Sequence, residues 1–182
     1  MPVLQLTGAH VRDLVEQARI HQPHEACGLL SGRGIQVARV HPIDNVADNP
    51  RVRYQLAPIP YLRALKAIDA HEEQLLAVYH THPASDPLPS AEDIRAATRH
   101  LPHIPQVIIS LRGTRPRLSA WAIADGRVEP VAIVLHPDAV HHSQQALTRA
   151  QQIAMSIAIL LAMVLLLAIA ITLLPPAPPI AD

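Results

Sequence analysis

The stretch on which the reading of this chain turns is Leu75-Leu76-Ala77-Val78-Tyr79-His80-Thr81-His82-Pro83-Ala84-Ser85-Asp86-Pro87-Leu88-Pro89-Ser90-Ala91-Glu92-Asp93. Its opening apolar run reads as a short buried strand. On an extended backbone, residues two apart point the same way. His80 and His82 therefore share one side of the strand end, and Thr81 faces the other. Pro83 cannot donate to a ladder, so regular pairing ends there. Prolines at 83, 87 and 89, with Ser85-Asp86 between them, make the following segment a rigid loop. Ser90 then opens a helical pattern, SAEDIRAATRH, with Asp93 in its first turn and able to point back at the strand end.

Two imidazoles, a hydroxyl and a carboxylate are thus gathered in one short segment. Each part alone has a plainer reading. Ser90-x-x-Asp93 is also a helix-capping signature, and a helix N-terminus favours a nearby carboxylate. A His-x-His pair is commonly two ordinary histidines, and the chain has 12 of them. The combination is what points to a metal: strand, His-x-His, rigid loop and helix-start carboxylate build a facial N,N,O site. Three protein donors with an open fourth position are what a water-activating zinc site needs. Glu25, in Pro23-His24-Glu25-Ala26-Cys27, is the natural candidate for proton transfer.

With Glu25 upstream, then His80-x-His82-Pro83 and Ser90-x-x-Asp93, the chain resembles the JAMM (MPN-plus) metalloprotease family, and every motif position is matched. The resemblance extends from about Leu4 to Leu135. It implies an α/β fold of cytidine-deaminase-like type, a curved, mostly antiparallel sheet flanked by helices. It further implies a zinc peptidase or isopeptidase. His80, His82 and Asp93 would bind Zn2+, Glu25 would serve as general base and then acid, and Ser90 would stabilise the tetrahedral oxyanion.

Other groups carry less. Cys27 is the single cysteine, so there is no disulfide framework, and its apolar setting marks it as a small buried hydrophobe. His21 and His24 read as solvated loop histidines; His136, His141 and His142 receive no role. With Lys+Arg 15 and Asp+Glu 15 and no basic block, nothing points to nucleic acid.

A second large feature is Ile153 to Leu174, IAMSIAILLAMVLLLAIAITLL, which holds no charge. At ~1.5 Å per residue, a helix of this length crosses a ~30 Å hydrocarbon core. The expected organisation is a metalloprotease domain at 1–138, a juxtamembrane linker at 139–152, a transmembrane helix at 153–174 and a Pro-rich tail at 175–182. The N-terminus lacks the charged start and apolar run of a signal peptide. Arg149 precedes the span and no basic residue follows it, which places the catalytic domain in the cytoplasm. An unpaired cysteine suits a reducing compartment.

A coarse pass gives helices at Val11–Ile20, Pro60–His71 and Ser90–His100. Strands are expected at Ala26–Ser31, Ile35–His41, Arg51–Leu56, Leu75–His80, Gln106–Leu111, Arg117–Ile123 and Arg127–Leu135, the last two joined across Asp125-Gly126. With phenylalanine absent, the core must be Leu, Ile, Val and Ala. The resemblance implies cleavage after the C-terminal glycines of ubiquitin or a ubiquitin-like partner, and the lack of large insertions beside the motif narrows the expected substrate to a small ubiquitin-like or sulfur-carrier protein with a Gly-Gly tail. Asn45-Val46-Ala47 is assigned to the substrate wall by the same resemblance. Two rival readings stay open: a non-catalytic MPN scaffold, and a RadC-like DNA-associated protein. The membrane assignment has its own check. Full-length protein should stay with the membrane fraction through carbonate washing; release without detergent would refute the anchor.

Overall fold

The computed structural model describes residues 3–137, and its centre is the strand that carries the two histidines. That strand, β4 (Gln74–His82), is buried continuously from Ala77 onward. Continuous burial means both faces are covered. On one side β4 pairs antiparallel with β2 (Cys27–Arg33), on the other parallel with β5 (Gln106–Ser110). Beyond β5 come β6 (Arg117–Ala124) and β7 (Arg127–His136), each antiparallel to its predecessor. Beyond β2 lies β3 (Gln36–Ile43), also antiparallel. A first strand, β1 (Val3–Thr7), runs parallel to β7 and closes the sheet into a seven-strand barrel of order β1-β3-β2-β4-β5-β6-β7. Closure on the β3 side is thin: one register pair, Gln5 with Gln36, and the Gln5 N–H donating to the Ile35 carbonyl at 2.8 Å.

Side-chain alternation along β2 and β4 divides the core in two. Leu30, Ala77 and Tyr79 join Leu14 and Ala18 of α1 (Gly8–Ile20), with Leu6, Val107 and Ile109. Leu29 and Val78 face the other way and pack against Ala64 and Ile68 of α2 (Pro58–Ala70). His80 and His82, in step with Val78, open on the α2 side. The third helix, α3 (Ala91–His100), begins where the loop after β4 ends.

Several expectations need correction. Val3–Thr7 is a strand, which the sequence did not reveal because its partner lies at the other end of the domain. Arg51–Leu56 is not a strand; only an isolated bridge, Asn45 to Leu56, exists there. Strand β4 runs through His80 to His82. The Asp125-Gly126 hairpin is as expected, with positive φ at both residues, 51° and 73°, as a type I′ turn requires. The proposed span 153–174, its linker and tail, and His141 and His142 lie outside the described residues. Among the described residues no helix is long and apolar enough to cross a membrane.

Gly28 is required where β2 passes β3 and β4. A Cβ there would stand 2.2 Å from the His41 carbonyl oxygen and 2.6 Å from the Tyr79 ring. Gly28→Ala should therefore destabilise the domain by about 1–3 kcal/mol, the usual cost of overpacking a filled core. Urea denaturation measures this, and an unchanged midpoint would show that the strands part without cost.

Candidate metal centre

The sheet end brings together residues far apart in sequence. His80 and His82 project from the last residues of β4. Asp93 comes from the first turn of α3, where a capping box fixes it: Ser90 Oγ accepts from the Asp93 N–H at 3.1 Å, and the Ser90 N–H donates to Asp93 Oδ2 at 2.7 Å. Asp93 Oδ2 stands 3.6 Å from His80 Nε2 and 3.6 Å from His82 Nε2. One donor atom from each of the three residues lies within 4.8 Å of the others, and all three side chains are buried.

Glu25 reaches the same place from the other direction. Extending the antiparallel register in which Cys27 faces His80 puts Glu25 opposite His82. Two hydrogen bonds carry the register past the end of β2: the Ala26 N–H donates to Thr81 Oγ1 at 2.8 Å, and the Thr81 N–H to the Ala26 carbonyl at 3.0 Å. Thr81, facing away from the metal ligands, thus places Glu25 beside them. The Glu25 backbone is held further by its N–H donating to the Pro50 carbonyl at 2.6 Å and by Asn45 Nδ2 donating to the Glu25 carbonyl at 2.9 Å. Its carboxylate Oε2 is buried without a hydrogen-bond partner.

Each ligand is oriented differently. His82 Nδ1 lies 2.8 Å from the Asp86 carbonyl, which can only accept, so Nδ1 bears the proton and Nε2 offers a lone pair. Arg112 Nη1 grips the Asp86 carboxylate at 2.7 Å and Arg117 grips its other oxygen. Trp121 Nε1 donates to the Pro87 carbonyl at 2.9 Å and Ser110 Oγ to the Ser85 carbonyl at 2.6 Å. The loop read as rigid from its prolines is fixed by these bonds. His80 has no hydrogen bond at either ring nitrogen, and its ring stacks on Tyr54.

The electrostatics follow from burial and neighbours. Burial pushes the Glu25 carboxyl up to about 7, with His82 pulling it down and Asp93 pushing it up. Burial also works against an ionised Asp93, but His80, His82 and Ser90 outweigh it and hold that carboxyl well below the usual carboxylate range. His80 is pushed down by burial and stays neutral, as a ligand must. The residues fit a cation: two imidazoles and an ionised carboxylate converge, and the buried His80 Nε2 has no other partner.

The remaining sequence candidates add no ligand atom to the cluster. Cys27 is buried, its thiol facing the Ile43 carbonyl at 3.4 Å and pushed up by burial to about 12. His21 and His24 are exposed in the loop after α1, and His136 is exposed at the end of β7. Asn45, assigned to the substrate wall, is tied to the fold by four hydrogen bonds: Nδ2 donates to the Glu25 and Arg53 carbonyls, and Oδ1 accepts from the Ala47 and Gln55 N–H groups. Thr81, Tyr54, Asn45 and Asp86 were not singled out for these positioning parts. Only Thr81 gave a hint, as the hydroxyl between two ligand histidines.

A barrel sheet with three helices and a His-His-Asp cluster beside a buried glutamate defines a metallohydrolase-like domain. Over residues 7–135 the chain matches the family model described as prokaryotic homologs of the JAB domain, and it belongs to that family. It is 40% identical over 128 residues, 68% of this chain and 80% of the relative, to a protein of Thermus thermophilus named "Probable TtuB-protein conjugate cleaving protease". It is 34% identical over 137 residues, 72% of this chain and 92% of the relative, to the CysO-cysteine peptidase of Mycobacterium tuberculosis. Its fold is similar to a solution structure of a Desulfitobacterium hafniense protein, with a TM-score of 0.69 and 32% identity over 77% of this chain and 97% of that one.

The displaced ionisation of Glu25 has a measurable consequence. Its folded value of about 7 lies above the ordinary 4.5. A raised folded value means that the native state holds the proton more tightly, so this contribution is full below the ordinary value and is lost as pH climbs through the folded one. At ~1.4 kcal/mol per unit, metal-stripped protein should lose about 3 kcal/mol from this group between roughly pH 4 and pH 8. Glu25→Gln should lack that component. Parallel stability curves for the two proteins would refute the assignment.

Proposed function

We propose that this chain hydrolyses a peptide or isopeptide bond after the C-terminal Gly-Gly of a ubiquitin-like or sulfur-carrier protein, using Zn2+ at His80, His82 and Asp93. The chain is a metallopeptidase of the JAMM type. The observation that carries the mechanism is Glu25, a buried carboxylate with an unbonded oxygen, across the strand pair from His82. A non-catalytic scaffold has no use for such a group, whose burial is costly.

When bound, the metal supplies Lewis acidity, lowering the pKa of water from ~15.7 towards ~7. The protein does the rest. Glu25 takes the proton from the attacking water and delivers it to the leaving amine. Ser90 Oγ already accepts from the Asp93 N–H, so its hydroxyl hydrogen is left to donate to the oxyanion of the tetrahedral intermediate. Burial of the site keeps bulk water from competing for these hydrogen bonds.

The substrate class rests on the relatives. One is named for conjugates of TtuB and the other for CysO-cysteine. The element carried over to this chain is a bond that joins the C-terminus of a small protein to an amine. A Gly-Gly tail suits a buried centre because it brings no side chains to the scissile bond. The uncharged run Ile153–Leu174 supports the further proposal that this activity is tethered to a membrane, with the catalytic domain cytoplasmic.

Purified full-length protein should hold one zinc per chain and lose it in His80→Ala, His82→Ala and Asp93→Ala; stoichiometric zinc in the His80/His82 double variant would overturn the ligand set. Glu25→Gln should keep its zinc and lose ~10²–10⁴-fold in turnover of a Gly-Gly-linked reporter. Ser90→Ala should lose on the order of 10²–10³-fold. Wild-type turnover in Glu25→Gln would refute the mechanism.

A further inference from the structure

The two histidines of the centre are held by different means. A metal-ligating imidazole ordinarily donates its second ring N–H to a carboxylate or carbonyl, which fixes the ring's orientation. His82 follows that rule through the Asp86 carbonyl at 2.8 Å. His80 does not. Its side chain is fully buried, yet Nδ1 and Nε2 both lack a hydrogen-bond partner. What lies against it is the Tyr54 ring, at a centroid separation of 4.3 Å and an interplanar angle of 16°. That is a close, nearly parallel stack, slightly shorter than the ~4.5 Å at which the usual aromatic range begins.

Tyr54 is itself tied down. Its hydroxyl donates to Gln106 Oε1 at 2.9 Å, and Gln106 Nε2 donates to the Ile104 carbonyl at 3.2 Å. Gln106 is fully buried at the start of β5. A chain of contacts therefore runs from the sheet through Gln106 and the phenol ring to the face of His80. The excursion between β3 and α2 that carries Tyr54 also supplies the Pro50 carbonyl and Asn45 amide that hold the Glu25 backbone.

We infer that Tyr54 is a positioning residue for the metal centre: its ring, stacked on His80, sets the imidazole plane that an N–H acceptor would otherwise set. The inference rests on the His80, His82, Asp93 metal reading and adds to it a residue that the motif does not contain. Stacking fixes the plane of the ring while leaving Nε2 turned towards Asp93, which stands 3.6 Å away. The stack acts through the ring face, and the phenol hydroxyl acts only to hold the ring in place.

The test uses the full chain in detergent, with Zn2+ affinity measured by chelator competition and the visible spectrum of the Co2+-substituted protein as a second readout. Tyr54→Phe keeps the ring and loses only its tether to Gln106, so it should keep most of the wild-type zinc affinity and show nearly unchanged cobalt bands. Tyr54→Leu removes the ring and should weaken zinc binding by about 10–100-fold, the usual effect of losing a residue that orients a metal ligand. Its cobalt bands should also shift. If Tyr54→Leu does not fold, Tyr54→Met, a longer and more flexible ring-free filler, takes its place. A merely structural Tyr54 would lower thermal stability in the leucine or methionine variant and leave affinity and spectrum unchanged, which would overturn the inference. Equal losses in Tyr54→Phe and Tyr54→Leu would also overturn it, by assigning the effect to the hydroxyl. Wild-type protein that binds neither metal would instead refute the metal reading beneath it.

Discussion

The pair of hydrogen bonds between Ala26 and Thr81 is the constraint on which the site depends. Glu25 precedes β2 and the two histidines end β4, so they meet only if two antiparallel strands keep one register. A slip of one residue would turn His80 and His82 to the opposite face. The irregularities of β2 lie at its far end. Its register with β4 shifts between Leu30 and Ser31, and its register with β3 between Ser31 and Gly32. The strand absorbs its bulges away from the centre and stays regular from Cys27 to Leu30, where Gly28 permits close approach to Tyr79.

Given that register, four polar side chains are buried together, and Asp93 and His82 are secured by separate means. Asp93 is held by the N-terminus of α3, which favours a carboxylate there whether or not a metal is present. His82 is held by a loop carbonyl. The loop is in turn held by Arg112 and Arg117 on Asp86, by Trp121 and by Ser110. Exposed ion pairs such as these contribute only ~0–1 kcal/mol to stability. Their value here is positional, since the Asp86 carbonyl that orients His82 belongs to the residue they grip.

The parts of this arrangement that are local in sequence were legible. Alternation on a strand gives His80 and His82 a common face, and the capping box gives Asp93 its place. The pairing of β1 with β7 was not legible, because Val3–Thr7 has no local signal beyond five residues of ordinary alternation. The segment before α2 misled for a related reason. Arg51 to Leu56 alternates like a strand, but the backbone is tied by the Asn45 side chain and the single bridge to Leu56 instead of by a ladder. Tyr54 therefore escaped notice: its meaning lies in a ring contact with His80 that exists only after the sheet has formed.

A second polar cluster shows by contrast what makes the first one a reaction centre. Ser31 Oγ lies 2.7 Å from His41 Nε2 and donates to Glu73 Oε2 at 2.6 Å, while Arg39 pairs with the other Glu73 oxygen. Serine, histidine and a carboxylate are the components of a nucleophilic triad, but their order is wrong for one. In a triad the hydroxyl gives its proton to the histidine and the carboxylate orients that histidine. Here the hydroxyl donates directly to the carboxylate, and Ser31 is completely buried, so no carbonyl carbon can reach it. Its position at the double register shift of β2 explains it better: the cluster satisfies polar groups where the ladder is interrupted. At the other end of the strand the balance is reversed. There Glu25 Oε2 and both ring nitrogens of His80 are buried without partners, a cost that a folded protein bears where something else is meant to bind.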